Sequence, residues 1–253
     1  MAKYSYCYIP DVQDERDFMF QAVRPAAAPL PLSVDLRHEC SPVRDQGQLG
    51  SCTGFAIAVG FREFLQIKLG VPLVPLAPLF VYYEERSHEH TVNQDAGAQP
   101  RDGMKVLTKI GASPESDDHY NVTMFTKRPS SKAVADAANF KIAAYHRLKT
   151  LKDVQSVLAG GNGVVMGFKV YESFESDIVA KTGRMPMPTA SEAVVGGHAV
   201  FIAGYQTDPT TAGGGYLMVK NSWSTGWGDN GYFYMPFAYV QPNLVSDLWT
   251  GVV

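Results

Sequence analysis

The spacing of apolar positions changes once along the chain, near residue 160. Between residues 50 and 160 they recur at helical intervals. Residues 52–68 are apolar nearly all round in their first turns, and Gly70 ends the run. A helix of that character belongs inside a core. Three further helices are predicted. One covers 78–86, one covers 101–110 between Pro100 and Gly111, and one opens at Thr150 with capping-box spacing to Asp153 and stops at Gly160 and Gly161. Beyond residue 160 the runs are short and rich in Val, Ile, Tyr and Phe, over 163–170, 199–205, 216–220 and 232–235. Gly and Asn separate them, so antiparallel strands are predicted. Helices first and strands later make an α+β chain of two facing lobes.

Residues 1 to about 33 differ in character from the rest of the chain. Aromatics mix with Asp11, Asp14, Glu15, Arg16 and Asp17, and then Pro25, Pro29 and Pro31 punctuate an Ala-rich connector. Pro-rich chain runs extended, so an N-terminal arm with a linker is predicted, against the alternative of an ordinary strand and surface loop.

Composition narrows the function classes. The 253 residues are 45% hydrophobic and 19% charged, as in folded globular proteins, and the formal charge is only −3. That balance has no basic footprint for nucleic acid or an anionic membrane. The most apolar stretch, 71–83, is broken by Pro72, Pro75 and Pro78 and is too short to span a bilayer. No apolar h-region of a Sec signal precedes the first acidic residues, so the expected location is the cytoplasm or the far side of a leaderless export route.

The three cysteines, Cys7, Cys40 and Cys52, allow at most one bridge and leave at least one thiol free. A bridge between Cys7 and Cys40 would tie the arm to the domain. No CxxC pair offers a zinc nucleus, and His88 and His90 read as solvated loop residues, so no metal is expected. The sequon at Asn121 matches glycosylation in form only.

The stretch from Asp45 to Ala56 is the most informative. A Gly-rich turn delivers Cys52 to the start of the buried helix, where unsatisfied N–H groups and the helix dipole favour thiolate over thiol. Alone, such a residue could be a buried structural cysteine. Two later segments change that. His198 follows Gly196 and Gly197 at the head of an apolar strand, and Asn221 follows another strand within Lys220-Asn221-Ser222-Trp223. Each residue taken singly has an ordinary structural reading; the ordered set of three is far rarer.

Here the sequence resembles the papain family of cysteine peptidases. The matching residues are Gln46-Gly47, Gly50-Ser51-Cys52 and Phe55-Ala56, then Gly197-His198-Ala199-Val200, then Asn221-Ser222-Trp223, Gly226-Trp227-Gly228 and Gly231-Tyr232. His198 follows Cys52 by 146 residues and Asn221 follows it by 169. The family's usual separation is about 130–150, so Asn221 lies slightly beyond, as a loop insertion would allow. The likeness covers roughly residues 34–240 and is strongest at the motifs.

The resemblance implies a papain-like two-lobed fold, with a helical left lobe over about 34–130, an antiparallel β-rich right lobe over about 131–253, and the cleft between them. It implies a cysteine endopeptidase that needs no cofactor, acts on peptide or protein substrates and works as a monomer. Cys52 would be the nucleophile and His198 its base, held as a thiolate–imidazolium pair. Asn221 would orient the His198 ring under the shield of Trp223, and Gln46 would donate to the oxyanion beside the Cys52 N–H. Trp227 would flank the leaving-group side. Gly97 and Ala98 fall where the family pairs with substrate backbone, matching its glycine pair loosely. Gly197 would leave a roomy pocket for the residue two before the scissile bond.

The departures also inform. Leu49 stands where many relatives have a bridging cysteine, and Thr53 and Gly54 replace an aromatic and an alanine after the nucleophile. Many relatives carry a helical pro-region of about a hundred residues; here a short N-terminal region looks like that of a bacterial subgroup. Residues 1–33 are therefore expected to be a short pro-segment that packs across the cleft and inhibits the enzyme. The competing readings are a non-catalytic peptide-binding homologue, and an exo- or isopeptidase using the same site.

Overall fold

A computed structural model describes residues 6–20 and 29–253. The residues of the arm before Tyr6 and the Pro25 part of its connector lie outside the described residues. The all-apolar run does form the central helix. It begins as an α-helical turn at Cys52–Gly54, winds as a π-helix over Phe55–Arg62 and returns to α over Glu63–Lys68. Every residue from 52 to 66 is buried, which is why the run shows no polar face. The helices Pro78–His88 and Pro100–Lys109 pack beside it, each started by proline, and Leu151–Ala159 carries the expected capping box between Thr150 and Asp153.

The β-rich half is one antiparallel sheet. Its strands are β1 (Ser33–Asp35), β2 (Ala144–Arg147), β3 (Val164–Tyr171), β4 (Val194–Thr207), β5 (Gly215–Lys220), β6 (Tyr232–Pro236) and β7 (Val245–Val252). They lie in the order β2-β7-β3-β4-β5-β6, with β1 paired to β4. Four of these match the predicted runs, and β4 is much longer than the predicted 199–205. Its extra residues include Gly196 and Gly197, a pair that reads as a break in sequence but continues the ladder to Lys169 and Val170. Strand β7 has no counterpart among the predicted runs because Asp247 and Thr250 are polar, yet both are buried.

The central helix is locked to the sheet by shape. A Cβ on Gly60 would stand 2.5 Å from the Phe201 Cβ, so only glycine lets β4 come this close. The Phe201 ring then packs against Phe61 and Phe64. At the end of β5, the buried Lys220 ammonium donates to Ser41 Oγ at 3.0 Å and to the Val59 carbonyl at 3.2 Å. Burial pushes that ammonium down to about 8. Both contacts fix the helix that starts at Cys52 against the strands that carry His198 and Asn221. Among the described residues, no helix is long and apolar enough to cross a membrane.

Candidate active site

Cys52, His198 and Asn221 come from three separate elements and meet at one point. His198 Nε2 lies 2.8 Å from Asn221 Oδ1, and the same oxygen accepts the Ser222 N–H at 2.8 Å. The Asn221 amide is thereby held with its oxygen toward the ring. Trp223 stacks on the His198 ring at 4.8 Å with an interplanar angle of 19°, which covers the His198–Asn221 bond. The other ring nitrogen, His198 Nδ1, is buried without a hydrogen-bond partner. The Ala199 N–H, one residue along β4, donates toward the Cys52 sulfur.

Gln46 is fully buried and doubly held. Its Nε2 donates to the Leu49 carbonyl at 3.0 Å, and its Oε1 accepts from Ser222 Oγ at 2.6 Å. An amide nitrogen carries two protons, so one remains for a ligand. Tyr120 braces the same turn: its hydroxyl donates to the Gln46 carbonyl and lies 2.7 Å from Ser51 Oγ. Tyr120 is not legible in the sequence, since it stands in no recognisable spacing, and Ser222 is quoted there only as part of the Asn221 motif, with no role of its own. Thr53, the departure after the nucleophile, donates at 2.6 Å to the wholly buried Glu85. Burial raises the Glu85 carboxyl well above the ordinary carboxylate range, which disfavours a negative charge under the helix.

The N-terminal segment fills the cleft. Tyr8 forms a parallel bridge with Ala98, its N–H donates to the Gly197 carbonyl at 3.2 Å, and the Ile9 N–H donates to the Ala98 carbonyl at 3.1 Å. Extended backbone thus runs between the two residues singled out as a substrate cradle. A Cβ on Gly97 would lie 1.3 Å from the Cys7 carbonyl oxygen, and its φ of +76° also suits glycine. The Tyr8 ring enters the pocket beside His198, where Gly167 and Gly197 leave it room. Its hydroxyl reaches Ser246 at 2.9 Å and the carboxylate of buried Asp247. Tyr6 meets the rings of His198 and Trp223 edge-on at 6.0 and 5.8 Å. Trp227 sits one ring further back, edge-on to Trp223 at 5.0 Å and against Phe174.

Anchors outside the cleft hold this segment. Trp249 Nε1 donates to Asp11 Oδ2 at 2.7 Å, the Asp11 N–H donates to Asp247, and Arg101 and Arg147 both pair with Asp17. All three cysteines are free. Cys7 lies over Gly50 and Gly97, whereas the Cys40 thiol donates to the Leu36 carbonyl at 3.7 Å. The bridge between them that the sequence left open is not formed.

Covered in this way, the site is electrically quiet. Cys52 and His198 are both fully buried. Burial pushes the Cys52 thiol up to about 12 and the His198 imidazole down to about 4. Burial thus disfavours the charged form of both groups, so the covered site works against the thiolate–imidazolium pair that the resemblance implies.

Comparison with known proteins agrees with this geometry. The papain family cysteine protease profile matches residues 30–241. An uncharacterised peptidase C1-like protein of Acanthamoeba polyphaga mimivirus is 40% identical over 217 residues, covering 81% of this chain and 68% of its own length. The crystal structure of xylellain, a cysteine protease from Xylella fastidiosa, superposes with a TM-score of 0.86 at 36% identity, covering 98% of this chain and 96% of that one. Digestive procathepsin L 3 of Tenebrio molitor shares the fold at a TM-score of 0.70 and 19% identity, covering 98% of this chain and 74% of that one.

Proposed function

The chain belongs to the papain family of cysteine proteases, and from that premise we propose that it is an endopeptidase acting through a Cys52 thioester, kept inactive while residues 6–9 occupy its cleft. One observation carries this reading: extended residues 6–9 lie between Ala98 and Gly197 above a fully buried Cys52 and His198. The domain proper spans 34–253, its two lobes meet near residue 130, and it acts as a monomer on peptide or protein substrates.

Displacing the segment readmits water. The burial penalty falls, and the proton passes from Cys52 to His198 to give the ion pair. The Cys52 thiolate attacks the scissile carbonyl. The oxyanion is met by the free Gln46 N–H and the Cys52 backbone N–H, which the first helical turn leaves unbonded. His198, held by Asn221 and screened by Trp223, protonates the leaving amine; water then hydrolyses the thioester. Gly97, Ala98 and Gly197 hold the substrate backbone, Trp227 flanks the leaving-group side, and the pocket vacated by Tyr8 takes a large side chain two residues before the scissile bond.

The test uses an epoxide-type cysteine-peptidase inhibitor and a substrate blocked at both ends. A truncation starting near residue 30 should be labelled once and should hydrolyse internal bonds faster than the full chain. Cys52→Ala should lose both properties. Failure of the folded truncation to label or cleave would favour a peptide-binding homologue, and cleavage confined to chain ends would favour an exopeptidase. An unchanged rate on truncation would remove the inhibitory role of the segment.

A further inference from the structure

We propose that Cys7 is a resolving thiol for Cys52: when the nucleophile is oxidised, Cys7 captures it as a disulfide that locks the segment over the cleft. This rests on the reading of residues 6–9 as a removable cover. The placement is specific. A Cβ on Gly50 would stand 2.4 Å from the Cys7 Cβ and 2.6 Å from its sulfur, so the Cys7 thiol lies on the backbone two residues before Cys52. On either side of it, Tyr6 packs on the His198 ring and Tyr8 bonds to Gly197. The nucleophile's neighbours thus surround Cys7 on the loop side and the strand side alike. The two thiols also sense one another, since negative charge on Cys7 disfavours it on Cys52.

The closed state is slow to oxidise. Burial raises both thiols, Asp95 adds to the rise at Cys7, and only a thiolate reacts readily with peroxide. Oxidation therefore strikes when the segment lifts and Cys52 ionises against His198. One hydrogen peroxide then converts the Cys52 thiol to a sulfenic acid and releases one water. As the segment returns, the Cys7 sulfur attacks the sulfenic sulfur, the S–O bond breaks, and a second water leaves with the Cys7 proton. A thiol reductant reverses the product, whereas a sulfenic acid left uncaptured proceeds to sulfinic and sulfonic acids.

The experiment treats the full chain with hydrogen peroxide and maps its peptides by mass spectrometry without reduction, for wild type, Cys7→Ser and Cys40→Ser. Wild type and Cys40→Ser should yield a linked pair of peptides holding residues 7 and 52, two hydrogen masses below their sum and separated by reductant. Cys7→Ser should show no link and should accumulate sulfinic or sulfonic acid at Cys52. Equal over-oxidation of Cys52 in wild type and Cys7→Ser, without a link, would overturn the proposal, as would a Cys52 inert to peroxide in both. Alkylation of Cys52 by iodoacetamide at the same rate in the untreated full chain and the truncation would show instead that the cover itself is absent.

Discussion

Two side chains at the centre make distinguishable contributions. Gln46 is held through both ends of its amide before any ligand arrives, so its remaining N–H is pre-aimed. Removing one such donor costs about 2.7–4 kcal/mol of transition-state stabilisation. In the truncated enzyme Gln46→Ala should therefore lower kcat about 10²–10³-fold with KM little changed, measured by steady-state kinetics. Asn221→Ala acts on the base instead. It frees His198 to rotate away from Cys52, so the pH dependence of inhibitor labelling should shift as well as the rate. An Asn221→Ala enzyme with the wild-type labelling profile would show that Trp223 alone orients the ring.

Among the elements, the covering segment has in Tyr8 a buried aromatic anchor inside the cleft. Tyr8 is 6% exposed and spans the pocket from Gly197 to Asp247. Truncating a buried aromatic to alanine costs about 3–5 kcal/mol, and each 1.4 kcal/mol is tenfold in an equilibrium. Tyr8→Ala in the full chain should raise the initial hydrolysis rate at least about tenfold and leave the truncated enzyme's rate as the ceiling. The helix Leu151–Ala159 gives a contrasting case. Thr150→Ala should lower thermal stability by about 0.5–2 kcal/mol while the rate per folded molecule stays unchanged.

These elements also mark what sequence could convey. The central helix, its proline-started neighbours, the capping box and the motifs around Cys52, His198 and Asn221 are legible because each depends on local spacing or on residue types with few alternative uses. Strand β7 is not, because Asp247 and Thr250 are buried by partners far away in sequence: Asp247 by Tyr8, Asp11 and Arg147. The glycines at 196 and 197 look like breaks for the same reason; the room they leave is filled by Tyr6 and Tyr8, at the other end of the chain. The effect of burial on the catalytic pair is invisible too, since the motif specifies which groups meet but not whether water reaches them.

Over the whole molecule, the anchors of the segment link its docking to pH. Exposed, an aspartate titrates near about 3.9. Docked, burial first and Asp247 second push the Asp11 carboxyl up to about 8. The groups facing it are Asp247, Trp249, Arg147 and the Arg101 backbone, with Asp17 bridging the two arginines. Docking therefore takes up a proton between about pH 4 and about pH 8; it is strongest below that window and weakens as pH rises through it. Full-chain activity relative to the truncation should climb from pH 5 to pH 9, and Asp11→Asn should flatten the climb. Parallel profiles for the full chain and the truncation, or a climb unaltered in Asp11→Asn, would dissociate Asp11 from closure.

The pairing of Tyr8 and Asp11 with strand β7 also orders events in time. Cys52, His198 and Asn221 all precede Asp247 and Trp249 along the chain, so a ribosome delivers the whole reactive set before it delivers these two anchors of the cover. The nascent molecule passes through an interval with a complete catalytic sequence but without the Asp247 and Trp249 partners of Tyr8 and Asp11. When β7 arrives it takes its place between β2 and β3 inside the sheet. Strand β3, which pairs with the strand bearing His198, lacks its second neighbour until β7 is inserted, so the strand that completes the sheet also completes the seat of the cover.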